Sequence, residues 1–144
     1  MNAIFYAIAA VIVLAIAIAH SISTQREQID RQDIQDVAGN TSVYLSAVKA
    51  YVRSNPSYVG DVQDSALGLP SWYVKLSGIR CYASAGRGFL YLTDVSERQG
   101  IEVADQMALK YASGRNQSGQ VISGSGEAFN VPGQVPNGSY VIYF

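Results

Sequence analysis

The chain has 144 residues, a formal net charge of −1, one cysteine and one histidine. This length suits one modest domain with an appendage, and a near-neutral charge without a long basic run argues against nucleic acid as a main partner. Because Cys81 and His20 cannot supply an internal disulfide or the three or four ligands of a zinc site, we predict no metal and no cofactor.

The first predicted element is an apolar helix over residues 1–23, which contain no charged side chain. Its large apolar side chains favour insertion into a bilayer by about 4 kcal/mol. A helix of about 20 residues spans roughly 30 Å, the thickness of the hydrocarbon layer. We therefore predict a permanent single-pass anchor in contact with membrane lipid. The anchor side chains are Ile4, Phe5, Ile8, Val11, Ile12, Val13, Leu14, Ile16 and Ile18.

Two alternatives for this segment stay open. The sequence Ala17-Ile18-Ala19 has the small-x-small form of a signal-peptidase site, although no Lys or Arg precedes the apolar run. Cleavage there would release a secreted periplasmic protein after Ala19. The second alternative is a pilin-like minor subunit of a fibre. A typical pilin has a leader that ends in Gly and an acidic residue early in its apolar helix, whereas the first acid here is Glu27.

Residues 24–39 follow as a predicted polar helical stalk. The segment is rich in Gln and in charged residues, and its (i, i+4) pairs of opposite charge favour a solvated helix. Gly39-Asn40 is predicted to end this helix. Residues 40–144 are then the predicted head domain.

Two helices are predicted in the head. The first covers residues 41–54, where a polar stripe leaves a wide apolar surface for burial. The second covers residues 96–112 and begins with a capping box, formed either by Ser96 with Gln99 or by Asp94 with Glu97. The polar stripe of the first helix consists of Ser42, Ser46, Lys49 and Arg53.

Strands are predicted wherever aromatic and β-branched residues alternate with others. These segments are WYVKL (72–76), IRCYA (79–83), GFLYLT (88–93), GQVIS (119–123), EAFNV (127–131) and SYVIYF (139–144). The uncharged segment at 139–144 is predicted to be an internal strand. The fold class is therefore α+β: a transmembrane helix and helical stalk, then a small antiparallel sheet with two helices on one face. The order of the head is α-β-β-α-β-β, with an optional third strand before the second helix.

No enzyme is predicted from the polar residues of the head. Ser46 and Lys49 match the Ser-x-x-Lys motif, but the partner motifs Ser-Asp-Asn and Lys-Thr-Gly are absent. Asp61 and Asp64 fall short of a calcium-loop pattern and are interpreted as solvated loop acids. The position of Cys81 in a predicted strand favours a buried thiol.

Aromatic residues are the candidate partner contacts. On a sheet that helices cover on one face, some strand aromatics must point outward, and exposed Tyr and Trp suit a protein–protein contact. The alternative, that they pack in the core, stays open. The candidates are Trp72, Tyr73, Tyr82, Tyr91, Tyr140 and Tyr143.

The whole chain resembles the PilM proteins of the thin-pilus (type IVb) systems found on conjugative plasmids and in enterobacteria. The likeness lies in its length, its apolar N-terminal segment FYAIAAVIVLAIAIA and the region WYVKL…IRCYASAGRGFLYL. It implies a non-enzymatic protein of the bacterial inner membrane, with a periplasmic domain that contacts other pilus-biogenesis proteins. The element order also looks like that of ferredoxin-like domains and of pilus alignment subunits. A homo-oligomer stays open.

Overall fold

The structure, a computed structural model, describes residues 32–144. The chain divides into two units, Met1–Asp33 and Ile34–Phe144, and the strands and most of the helical residues below belong to the second unit. The predicted anchor (1–23) and the first part of the predicted stalk lie outside the described residues. Neither of the helices described within residues 32–144 combines the length and the apolar character that a membrane span requires.

Helix α1 covers residues 32–54 without interruption. The predicted stop at Gly39-Asn40 is therefore wrong. The physical reason is burial: Ile34 and Ala38 are only 6% and 5% exposed, and they belong to the same core cluster as Val48. Because these residues follow one another at helical spacing, packing of a single face holds the helix through the glycine. The part of the predicted stalk from Ile34 onward thus packs in the compact unit.

A seven-stranded antiparallel sheet lies against this helix, with strand order β1-β2-β3-β7-β4-β5-β6. The strands are β1 (Val59–Asp61), β2 (Ile79–Ser84), β3 (Arg87–Leu92), β4 (Ser113–Gln117), β5 (Gln120–Ile122), β6 (Ala128–Asn130) and β7 (Tyr140–Tyr143). Helix α2 (Glu97–Gln106) connects β3 to β4. The predicted α+β class, with two helices and an antiparallel sheet, is confirmed for the described residues. The order of elements differs from the β-α-β-β-α-β order of ferredoxin-like domains.

Strand β7 is internal, as predicted, and its alternating residues are buried on opposite faces of the sheet. Tyr140 and Ile142 join the core cluster that includes the α1 residues, whereas Val141 joins a second cluster. Val131 and Val135, from the segment after β6, cover this second face. The prediction that only one face is covered is therefore wrong, because a loop buries the other.

The second helix is shorter than predicted. The capping box of Ser96 and Gln99 is confirmed, but the helix ends at Gln106 instead of continuing to residue 112. Ala108 follows with a positive φ of 55°, which is rare for a residue with a side chain. A short 3-10 turn, Lys110–Ala112, then leads directly into β4.

A candidate docking surface

A segment over residues 72–76, which we call the strip, contains neither helix nor strand, so the strand predicted at WYVKL is wrong. Its side chains point alternately outward and inward, but with reversed polarity: the apolar side chains are exposed and the polar ones are covered. Trp72, Val74 and Leu76 point outward and are 71%, 80% and 41% exposed, while Tyr73 and Lys75 point inward. This arrangement does not by itself stabilise the folded state, because it leaves apolar side chains in water and covers a charged one. Exposed apolar patches of this kind mark interaction sites.

Asn40 of α1 holds the strip in place. Its Nδ2 donates a hydrogen bond to the Val74 carbonyl (2.7 Å), and its Oδ1 accepts from the Tyr73 hydroxyl (2.8 Å) and from the Leu76 N–H (3.3 Å). One side chain therefore satisfies groups that a neighbouring strand would otherwise satisfy.

Lys75 fixes the inner side of the strip. Its ammonium forms an ion pair with the Asp64 carboxylate and lies 5.1 Å from the centre of the Tyr44 ring. The Tyr44 hydroxyl also donates to Asp64, at 2.9 Å, and Tyr44 is fully buried. Asp64, interpreted from the sequence as a solvated loop acid, therefore links α1 to the strip.

The protonation states of this cluster are well defined at neutral pH. Burial raises the pKa of Tyr44 far above its ordinary value and raises the pKa of Tyr73 to about 12. Burial alone would raise the pKa of the Asp64 carboxyl, but hydrogen bonds from Lys75 and Tyr44 outweigh it and lower the pKa. Both phenols remain neutral donors, and Asp64 remains an anion.

Two clefts border the strip. The larger, of about 460 Å³, lies between the strip and α1 and is lined by Asp36, Val43 and Trp72 among others. The smaller, of about 180 Å³, is lined mainly by apolar residues, with Asp94 at its edge. Together they provide recesses next to the exposed apolar side chains, which a flat surface would lack.

A third, polar cavity of about 470 Å³ is lined by Asp64, Lys75, Arg80, Cys81 and other residues. Burial raises the pKa of the Cys81 thiol to about 12, so it is a neutral thiol and a poor nucleophile at neutral pH. Asp64 is engaged by Lys75, which makes it a weak base. In the part of the chain that the structure describes, no group of three or more His, Cys, Asp or Glu residues could hold a metal ion.

The Ser-x-x-Lys motif does not form a Ser–Lys pair. The Ser46 hydroxyl donates to the Ser42 carbonyl (2.9 Å), and the Lys49 ammonium lies 5.5 Å from the centre of the Phe144 ring. Ser46 is also on the exposed polar stripe of α1. The motif therefore reflects the solvent-facing side of a helix.

The predicted aromatic contacts fall into two groups of three: those that are at least partly exposed and those that are buried. Trp72 and Tyr73 belong to the strip, and Tyr143 is half-buried against Phe129, with ring centres 4.0 Å apart. The remaining three, Tyr82, Tyr91 and Tyr140, are 8%, 6% and 2% exposed. They pack in the core of the folded domain and are not available to a partner. Sequence reasoning missed Val74 and Leu76, although the alternation of WYVKL contained the signal.

Replacing Asn40 by alanine is expected to release the strip. Loss of its three hydrogen bonds should speed amide hydrogen exchange at residues 72–76 by at least about tenfold, since each bond contributes roughly 1 kcal/mol. The matched control is Ser46→Ala on the exposed side of the same helix. Unchanged exchange in the strip of the Asn40→Ala protein would show that other contacts hold it.

The protein-family model described as PilM matches residues 8–143. A crystal structure of a PilM protein from Escherichia coli B7A has a TM-score of 0.58 and 17% sequence identity, covering 78% of this chain and 91% of that chain. A pilM protein from Pseudomonas aeruginosa 2192 has a TM-score of 0.45 and 26% identity, covering 75% and 92%. No curated protein sequence matches. The first structure supports the α+β fold.

Proposed function

Because the chain belongs to the PilM family, we propose that this pilus-related protein is a non-enzymatic, single-pass component of the bacterial inner membrane. In this proposal it serves a type IVb (thin) pilus assembly machine. Its periplasmic domain docks other pilus-biogenesis proteins through the strip.

The observation that carries the proposal is the reversed polarity of the strip. Val74 is 80% exposed while the neighbouring Lys75 side chain is only 17% exposed. The hydrogen bonds of Asn40 and the ion pair with Asp64 maintain this orientation in the free protein. A surface held in place before binding loses little entropy when a partner arrives, which favours a docking role.

The anchor part of the proposal rests on the sequence of residues 1–23. Their apolar character and length suit a single membrane span. A span at this end would tether the domain to the inner membrane, the compartment of the other membrane-associated pilus proteins in this proposal.

The test is complementation of a deletion strain. Deletion should abolish pili, and the wild-type gene should restore them. The double variant Trp72→Ser, Val74→Ser should fail to do so, with at least about a tenfold loss of sheared pilin, because a buried Trp is a frequent energetic centre of interfaces. The matched control is Tyr111→Ser, Ile122→Ser, since these residues are 61% and 67% exposed elsewhere; it should restore pili.

Three outcomes would contradict the proposal. Normal pili in the deletion strain would remove the assembly role, and normal pili with the strip variant would remove the strip from it. Recovery of the protein within sheared fibres would instead identify a minor pilin. Immunoblots of membrane fractions should show equal amounts of both variants, so that loss of pili reports on docking.

A further inference from the structure

The charges around the strip indicate which kind of partner it binds. Resting on the proposed function, we infer that the strip is bound by a segment of another protein in which apolar side chains stand next to Lys or Arg. The apolar side chains would cover Trp72, Val74 and Leu76 and enter the two clefts. The cations would face Asp36 and Asp94.

The recesses beside the strip are suited to apolar side chains of the partner. The larger cleft places Val43 of α1 opposite Trp72 and Val74. The smaller places Ile79 and other apolar side chains next to Leu76. Apolar side chains of a partner would remove both linings from water, which is the main source of affinity in such contacts.

The charged residues of the two clefts favour basic side chains on the partner. Asp36 lines one and Asp94 the other, and among the described residues no Lys or Arg lines either cleft. Asp94 accepts hydrogen bonds from the hydroxyls of Ser77 (3.3 Å) and Thr93 (3.2 Å), which are neutral donors. Within residues 32–144, none of the ion pairs involves Asp94. Lys75, the cation within the strip itself, is turned inward to Asp64. A partner with basic residues would therefore be attracted, and an acidic one repelled.

The same charges disfavour two other occupants. Anionic lipid headgroups attract basic protein surfaces, so an acidic rim makes the strip a poor contact for a phospholipid surface. A symmetric pair of strips from two copies would bring Asp36 and Asp94 of each copy near the acids of the other, because both copies use the same patch. The surface is thus better suited to a different protein.

The experiment is photo-crosslinking of the full chain in pilus-producing cells. Val74 is replaced by the photoreactive amino acid p-benzoylphenylalanine, and crosslinked peptides are identified by mass spectrometry. The expected product is an apolar peptide of another protein with Lys or Arg within a few residues of the crosslink. Adding Asp36→Asn and Asp94→Asn should lower its yield about threefold to tenfold, because each exposed charge contributes modestly. The matched control, Glu127→Gln, removes an exposed acid elsewhere and should leave the yield unchanged.

Crosslinks to acidic or uncharged peptides, to lipid or to a second copy would overturn the inference, as would the absence of any crosslink. A crosslinking yield that is unchanged by the Asp36→Asn and Asp94→Asn substitutions would also overturn it. These results differ from failure of the proposed function. If deletion abolishes pili but the crosslink does not depend on charge, only the inferred partner chemistry is wrong. If pili are normal in the deletion strain, the assembly role itself is wrong.

Discussion

Replacing Tyr44 by alanine is expected to lower the free energy of unfolding by about 3–5 kcal/mol. Tyr44 is fully buried in the core, and its hydroxyl donates to Asp64 while its ring lies below the Lys75 ammonium. The substitution removes a large side chain and leaves a cavity next to an ion pair. Since a domain of this size is stable by only about 5–15 kcal/mol, much of its stability should be lost.

The conservative variant Tyr44→Phe separates the ring from the hydroxyl. It keeps the packing and removes one hydrogen bond, so we expect a loss of about 1 kcal/mol. Both values can be measured by urea titration of the full chain in a mild detergent, followed by far-ultraviolet circular dichroism. Equal losses for the two variants would contradict the prediction, because they would assign the whole effect to the hydroxyl.

Replacing each of two helical glycines by alanine is expected to change the free energy of unfolding in opposite directions. A Cβ at Gly100 of α2 would lie 2.3 Å from Cγ of Tyr140, far closer than packed atoms allow. The Tyr140 hydroxyl is hydrogen-bonded to Ser113 at 3.0 Å, so the ring has little freedom to retreat. We expect the overpacking cost, about 1–3 kcal/mol or more, to exceed the roughly 1 kcal/mol that alanine contributes to a helix.

Gly39→Ala is the matched control within α1. A Cβ there would meet nothing within 4 Å, so only the helix propensity remains and the domain should gain roughly 0.5–1 kcal/mol. The same urea titration measures both changes. A stabilised Gly100→Ala protein would mean that α2 can shift away from the sheet. A destabilised Gly39→Ala protein would mean that the helix needs its glycine.

Predictions from the sequence succeeded where one local pattern determines the structure. The capping box of Ser96 and Gln99 depends on residues three apart, and both of its hydrogen bonds are present. The strands β2 and β3 and the internal strand β7 follow from dense β-branched and aromatic residues. Such signals are strong because the interacting groups are close in sequence or because uncharged strands require burial on both faces.

Predictions failed where a distant contact decides the outcome. Gly39-Asn40 contains ordinary helix-ending residues, but the Asn40 side chain bonds to a segment more than 30 residues away. Strand β4 has the composition of a loop, SGRNQ, and becomes a strand through its pairing with β7. No local pattern reveals such partners in a single sequence.

Contacts between residues distant in sequence also limit what can be predicted about the docking surface. Alternation in residues 72–76 identifies two faces, but it does not say which faces the solvent. In the structure Lys75 turns inward to form an ion pair with Asp64, and no sequence pattern links these two residues. Two of the aromatic candidates, Tyr82 and Tyr91, are buried in the cluster that the loop after β6 closes, on a face expected to be open.

The central position of β7 also bears on how the domain folds. The strand pairs with β3 on one side and with β4 on the other, so it joins two half-sheets that precede it in the chain. A polypeptide that emerges N-terminus first would present both halves before the strand that connects them. Long-range pairing of this kind slows folding. The domain should therefore acquire its native structure in one late, cooperative step, once residues 140–143 are released.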